Sequence, residues 1–163
     1  MSSDLPSIAG LNALDGAEFE RALRLLFERA PRLVEPLYSE RPFRSYAELL
    51  DRARHIVGTL REEEQIAVLN AHPRVGSRAG LSPLSRREQG ADRDERVARE
   101  LAELNAAYER RFGFRFVVFV AGRPREAIVD ALRARLERPR DEELRTGLSE
   151  YLAIAAQRLR KLT

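Results

Sequence analysis

One stretch of this chain reads as a β-strand, and it has nothing to pair with. Phe114-Arg115-Phe116-Val117-Val118-Phe119-Val120 is aromatic and β-branched, lies between Gly113 and Gly122, and is far too apolar to be exposed. Its backbone N–H and C=O groups need partners, yet no second run of this kind occurs among the 163 residues. A real sheet is therefore not expected. The rest of the chain has helical period, so the expected fold is all-α: a compact single-domain multi-helix bundle over residues 1–163, with one short extended apolar segment near 114–120.

Helix starts are written into the sequence as capping boxes, in which a side chain at the cap and a Glu three residues on satisfy each other's backbone donors. Asp15 with Glu18 opens a segment carrying Phe19, Leu23 and Leu26 until Pro31 interrupts it. Ser45 with Glu48 opens one with Leu49, Leu50, Ala53, Ile56 and Val57 on one side. Thr59 with Glu62 is expected to cap the next, through Ile66, Val68 and Leu69, stopping near Ala71 because Pro73 disfavours helix at the residue before it. A loop follows from His72 to about Leu84, punctuated by Pro73, Gly76, Gly80 and Pro83. Ser85 with Glu88 then begins a long helical stretch through Val97, Leu101, Leu104 and Tyr108 that stops at Gly113. Pro124 suits the start of a helix with Ile128, Leu132 and Leu136, and Asp141 starts the last, through Leu148, Leu152, Ala155, Leu159 and Leu162.

Composition excludes several classes of function. With no Cys there is no disulfide, no thiolate metal site and no Cys nucleophile, and with only two His a metal site is not expected. The pI near 9.8 invites a nucleic-acid reading. However, Lys161 is the only Lys, and acidic residues interleave with Arg in Arg61-Glu62-Glu63-Glu64, Asp92-Arg93-Asp94-Glu95-Arg96 and Arg140-Asp141-Glu142-Glu143. A face that tracks phosphates is a patch of one sign, so no nucleic-acid partner is expected. No apolar run approaches the roughly 20 residues that span a bilayer, and Met1–Pro6 lacks the features of a signal peptide. A cytoplasmic protein with no membrane partner is expected.

Few residues remain that could carry chemistry. His55 lies mid-helix, where a surface or packing role is the simpler reading. His72 stands at a helix end before Pro73, where its imidazole can face a cleft, or can cap the helix as a cation. Ser85, Glu88 and Gln89 form a helix start that is either a plain capping box or a seat for an anionic ligand on free N–H groups. Arg158 falls on the apolar side of the last helix, between Tyr151 and Ile154. A buried Arg needs a partner, which is either an internal carboxylate or a bound anion.

The order of short motifs adds to this. Ala71-His72-Pro73-Arg74-Val75-Gly76, Ser85-x-x-Glu88-Gln89, Asn105-x-x-Tyr108-x-x-Arg111-Phe112-Gly113-Phe114-x-Phe116-Val117-Val118, Gly122-Arg123 and Arg158-Leu159 follow one another, preceded by Leu11-Asn12-x-Leu14, Phe19 and Arg41-Pro42-Phe43. The set resembles the 2-oxo-4-hydroxy-4-carboxy-5-ureidoimidazoline (OHCU) decarboxylases of urate breakdown, and the His-Pro-Arg-Val-Gly run resembles their bacterial form. The resemblance implies a helical bundle, usually dimeric and without a cofactor, that converts OHCU to (S)-allantoin. It implies catalytic roles for His72 as the acid, Glu88 and Arg158. It also implies substrate contacts at Pro73, Ser85, Gln89 and the run beginning at Phe116, taken here as Phe116, Val118 and Val120. Two rivals stay open at this point: a sister activity on another small ureido or imidazoline acid, and a non-catalytic helical interaction module.

Overall fold

The computed structural model describes residues 4–76 and 95–163. Among them the chain forms eight helices: α1 (Ile8–Asn12), α2 (Gly16–Phe27), α3 (Pro31–Ser39), α4 (Tyr46–Thr59), α5 (Glu62–Asn70), α6 (Glu95–Phe112), α7 (Arg125–Leu136) and α8 (Arg140–Leu162). Two of these start signals open helices where the sequence places them, each through the bond accepted by the cap side chain. The Glu18 N–H donates to Asp15 Oδ1 (2.8 Å) and the Glu48 N–H to Ser45 Oγ (3.1 Å). Pro31 proves to be the first residue of α3 rather than a break within a helix.

Thr59 does not cap α5. It ends α4 instead, its hydroxyl donating back to Ile56 O (2.8 Å), and Arg61 takes the cap position. Arg has no acceptor oxygen, so only half of a box forms there: Glu64 Oε1 accepts from the Arg61 N–H (3.2 Å). The Ser85–Glu88 box, with the loop beyond Gly76, lies outside the described residues.

Among the described residues α8 is the longest helix, and it packs against α2, α4 and α5, while α6 packs on α7. Phe19, Leu23 and Phe27 of α2, Leu33 and Leu37 of α3, Leu49 and Ala53 of α4, and Leu148, Tyr151 and Ala155 of α8 join one buried core. Gly147 lets α8 approach α5 closely, since a Cβ there would come within 3.3 Å of a Leu69 methyl. The N-terminal motif residues hold this frame together. Asn12 exchanges two hydrogen bonds with the Phe43 backbone (2.8 and 2.9 Å), and Arg41 donates to Asn12 O (2.8 Å) across Tyr38.

Gly113, at φ 83°, ends α6 in the left-handed conformation that only glycine adopts freely. The chain then runs extended from Arg115 to Val120 without a paired strand among the described residues. Its backbone is answered by side chains and a turn. The Arg115 N–H donates to Asn70 Oδ1 (3.0 Å), Val117 O accepts from Arg135 Nη1 (2.8 Å), and Phe119 O accepts from Arg123 Nη2 (2.6 Å). Phe114, Phe116, Val117 and Val118 are buried as the sequence demands, but Val120 is 37% exposed, because the segment is leaving the core as it turns into Ala121 and Gly122.

Behind this segment is a buried charged cluster. Glu143 is fully buried and accepts from Tyr108 Oη (2.6 Å), Arg135 Nε (2.7 Å) and Arg138 Nη1 (3.0 Å). Burial, and next the hydrogen bond to Glu143, push the Tyr108 phenol pKa well above its ordinary value. The Arg135 guanidinium lies 4.5 Å from the centre of the Phe116 ring. Among the described residues no helix is long and apolar enough to cross a membrane.

Candidate active site

The helix end that carries His72 is built by two neighbours. α5 stops at Asn70, and Pro73 prevents it from continuing. Its free carbonyls are met by Arg115, which donates from Nη1 to Asn70 O (2.9 Å) and to His72 O (3.0 Å). The cationic cap is therefore Arg115, from the extended segment, and this role is closed to His72.

Instead, the imidazole turns inward. Its Nδ1 lies 3.1 Å from Pro73 O. A carbonyl only accepts, so Nδ1 carries the hydrogen and Nε2 presents a lone pair. That Nε2 is buried and has no hydrogen-bond partner among the described residues. The ring meets Tyr151 edge to face, with centroids 6.3 Å apart. Burial is the main cause that pushes the His72 pKa below its ordinary 6.5, against the hydrogen bond to Pro73 O. The positive charges of Arg158 and Arg115 lower it further, and the carboxylate of Glu28 raises it. His72 is thus set up as a neutral imidazole at neutral pH.

Tyr151 and Arg158 are seven residues apart on α8, so they share a face two turns apart. The Tyr151 hydroxyl donates to Phe27 O (2.6 Å), and burial pushes its pKa far above the usual phenol range. Arg158 donates from Nη1 to Leu26 O (3.3 Å) and from Nη2 to Glu28 Oε1 (2.9 Å). The partner of Arg158 within the chain is therefore a carboxylate, as one of the two readings of the sequence held. The pair stays about one-third exposed, 30% and 32% of the side chains, leaving room for a ligand at the guanidinium. His55 is on the surface of α4.

Of the residues the sequence singles out, the structure brings together His72, Pro73 and Arg158. Phe116 and Val118 are buried in the segment that begins with Arg115; Phe116 packs 5.2 Å from Tyr108, ring to ring, and its side chain belongs to the core. Ser85, Glu88 and Gln89 lie outside the described residues. Three members of the His72 surroundings escape sequence reasoning: Glu28, Tyr151 and Arg115. Arg115 carried a faint signal, as the one charge inside an apolar run, and Tyr151 stood beside Arg158 on the helical wheel. Glu28 carried none. Nearby, Arg115, Asn70, Phe114 and Gly113 line a cleft of about 270 Å³ with Arg74 and Glu109. Arg74 and Glu109 pair there in a fork, with contacts of 2.7 and 3.0 Å.

Over its described residues, such a molecule is an all-helical protein with one imidazole turned inward against Tyr151, its Nε2 buried. The chain belongs to the OHCU decarboxylase family, whose model matches residues 12–160. It is 34% identical over 153 residues to the 2-oxo-4-hydroxy-4-carboxy-5-ureidoimidazoline decarboxylase of Haloferax volcanii, covering 91% of each chain. It is likewise 34% identical to the uric acid degradation bifunctional protein PucL of Bacillus subtilis, over 91% of this chain and 31% of that one. The crystal structure of an OHCU decarboxylase in the presence of (S)-allantoin superposes with a TM-score of 0.72 at 24% identity. It covers 86% of this chain and 95% of the other, and it shares the fold.

Proposed function

We propose that this chain decarboxylates OHCU to (S)-allantoin, with His72 moving the proton. The observation that carries the reading is the His72 Nε2: buried, unprotonated and without a partner among the described residues. A buried nitrogen without a hydrogen bond costs free energy, and a substrate hydroxyl is the group that would satisfy it.

The substrate supplies its own electron sink. When CO2 leaves C4, the electron pair of the broken bond moves into the C4–C5 bond as the ring C5=N bond opens, and the nitrogen takes up one proton. The hydroxyl proton on C4 then passes to C5, which leaves a carbonyl at C4. His72 is suited to the second transfer: its Nε2 receives the hydroxyl proton and delivers it to one face of C5. The acid role implied by the family likeness thus becomes a relay that begins as a base, since burial keeps the ring unprotonated. Glu88 orients His72 or accepts from the substrate hydroxyl. Ser85, Gln89, Pro73 and the backbone near Phe116, Val118 and Val120 hold the ring and ureido groups. Arg158 meets a carbonyl or the developing negative charge; a firm grip on the departing carboxylate would stabilise the ground state and oppose reaction.

Family membership also supports a cytoplasmic homodimer formed from a single domain, acting in purine breakdown. Light scattering on the eluting protein should then give twice 18.6 kDa. The central test is turnover of freshly generated OHCU, followed by the circular dichroism of the allantoin formed. The parent should give one enantiomer. His72→Asn, with unchanged melting, should leave only the uncatalysed rate and a racemic product. A folded His72→Asn protein that makes one enantiomer near the parental rate would exclude the relay.

A further inference from the structure

Glu28 follows the last residue of α2 with φ 59° and ψ −159°. That region of backbone space is essentially reserved for glycine, and a side chain held there is under strain. The site needs no Glu for its backbone bonds, since the Glu28 N–H donates to Arg24 O (3.1 Å), as any residue's would. What the side chain supplies is a negatively charged acceptor for Arg158 Nη2 (2.9 Å).

The surroundings give that bond a purpose. On either side of Glu28 the end of α2 is tied to α8, by Tyr151 Oη to Phe27 O (2.6 Å) and by Arg158 Nη1 to Leu26 O (3.3 Å). Tyr151 also touches the His72 ring. Among the described residues, the charged groups whose fields act on His72 are Arg158 from α8, Arg115 from the segment after α6 and Glu28 from the end of α2. Two are cations, and Glu28 is the anion among them.

We propose that Glu28 is a positioning residue: its carboxylate fixes the Arg158 guanidinium beside His72 and balances its charge there. The inference rests on the function proposed above and adds to it. An Arg158 left unbalanced would hold a substrate carboxylate more firmly, which lowers KM and kcat together. Glu28 occupies one edge of the guanidinium and weakens that grip, and the strained backbone is retained for this reason.

The test uses three variants and the two histidine NMR signals, assigned with His72→Asn. In Glu28→Gln the His72 ring should titrate at lower pH than in the parent, because the carboxylate that raises it is gone. Its kcat should fall about 10- to 100-fold while KM falls rather than rises. Glu28→Asp should restore both towards the parent. Glu28→Gly removes the carboxylate and the strain together, so it should titrate like Glu28→Gln and melt no lower than the parent. A His72 titration in Glu28→Gln that superimposes on the parent's, or an unchanged kcat, would overturn the proposal. So would a Glu28→Gly protein that melts far below the parent, since Glu28 would then be a structural tether. If the parent itself fails to turn over OHCU, the proposed function falls, while the titration and melting still decide the role of Glu28.

Discussion

Replacing Glu143 by Leu removes one carboxylate from the interior and leaves its three partners behind. Arg135 is 8% exposed and keeps its charge without a counter-ion, and the Tyr108 hydroxyl loses its acceptor at 2.6 Å. Arg138, 39% exposed, can turn to water. Breaking one side of a buried ion pair costs about 3–5 kcal/mol. For a chain of this length that is a fall in Tm of roughly 6–20 °C, at about 2–4 °C per kcal/mol. The loss belongs to the stranded charge rather than to the missing carboxylate, and further substitutions can separate the two. Tyr108→Phe/Arg135→Met/Glu143→Leu replaces the buried members of the cluster by apolar groups and leaves only Arg138, which can reach water, a change that is often neutral or stabilising. It still leaves Val117 O without its donor, so a deficit of about 1–3 kcal/mol should remain. Urea unfolding of the parent, the single variant and the triple variant measures all three values. A single variant within about 1 kcal/mol of the parent, or a triple variant less stable than the single, would refute this account of the cluster.

Three further outcomes are expected. His72 has a folded pKa below its unfolded value of about 6.5, so the unfolded chain binds more protons in that range and stability falls as pH drops below about 6.5. His72→Asn should flatten this slope, by at most about 1.4 kcal/mol per pH unit, in denaturant titrations between pH 7 and 5; an unchanged slope would refute the buried neutral imidazole. Glu88→Gln should lower turnover of OHCU at least about 100-fold while Tm barely moves, since Gln still completes a capping box; near-parental turnover would make Glu88 a cap alone. Turnover should survive exhaustive chelation, because the chain has no Cys and the described residues contain no cluster of three metal-ligating side chains; activity lost to chelator and restored by one metal would contradict this.

Much of the helical frame was legible because its signals are local. Asp15 with Glu18 and Ser45 with Glu48 act across three residues, within reach of their own side chains, and Gly113 answers to its own φ. Thr59 shows where local reasoning stops. As a cap for α5 it is as good by spacing as Ser45 is for α4, but α4 continues through it and uses its hydroxyl at the other end. That choice depends on where packed α4 ends, which no three-residue pattern records.

The site divides in the same way. His72 and Arg158 could be picked out, one from its place at a helix end before Pro73, the other from an apolar helix face. The need of Arg158 for a partner was also evident from its place on the apolar face, although the structure leaves its side chain 30% exposed. Its partner was not, for Glu28 lies 130 positions away on a different helix end and looks like any surface Glu in Phe27-Glu28-Arg29. The same is true of Glu143, one of three acidic residues in the first turn of α8, of which it alone is fully buried. Sequence alone determined most of the helices, the caps at Asp15 and Ser45, and the residue types able to carry a proton or an anion, because each follows from neighbours within a turn or two. Only the tertiary structure decided which charges meet: a carboxylate is inside or outside according to which helices close over it, and that is a property of the whole packed chain.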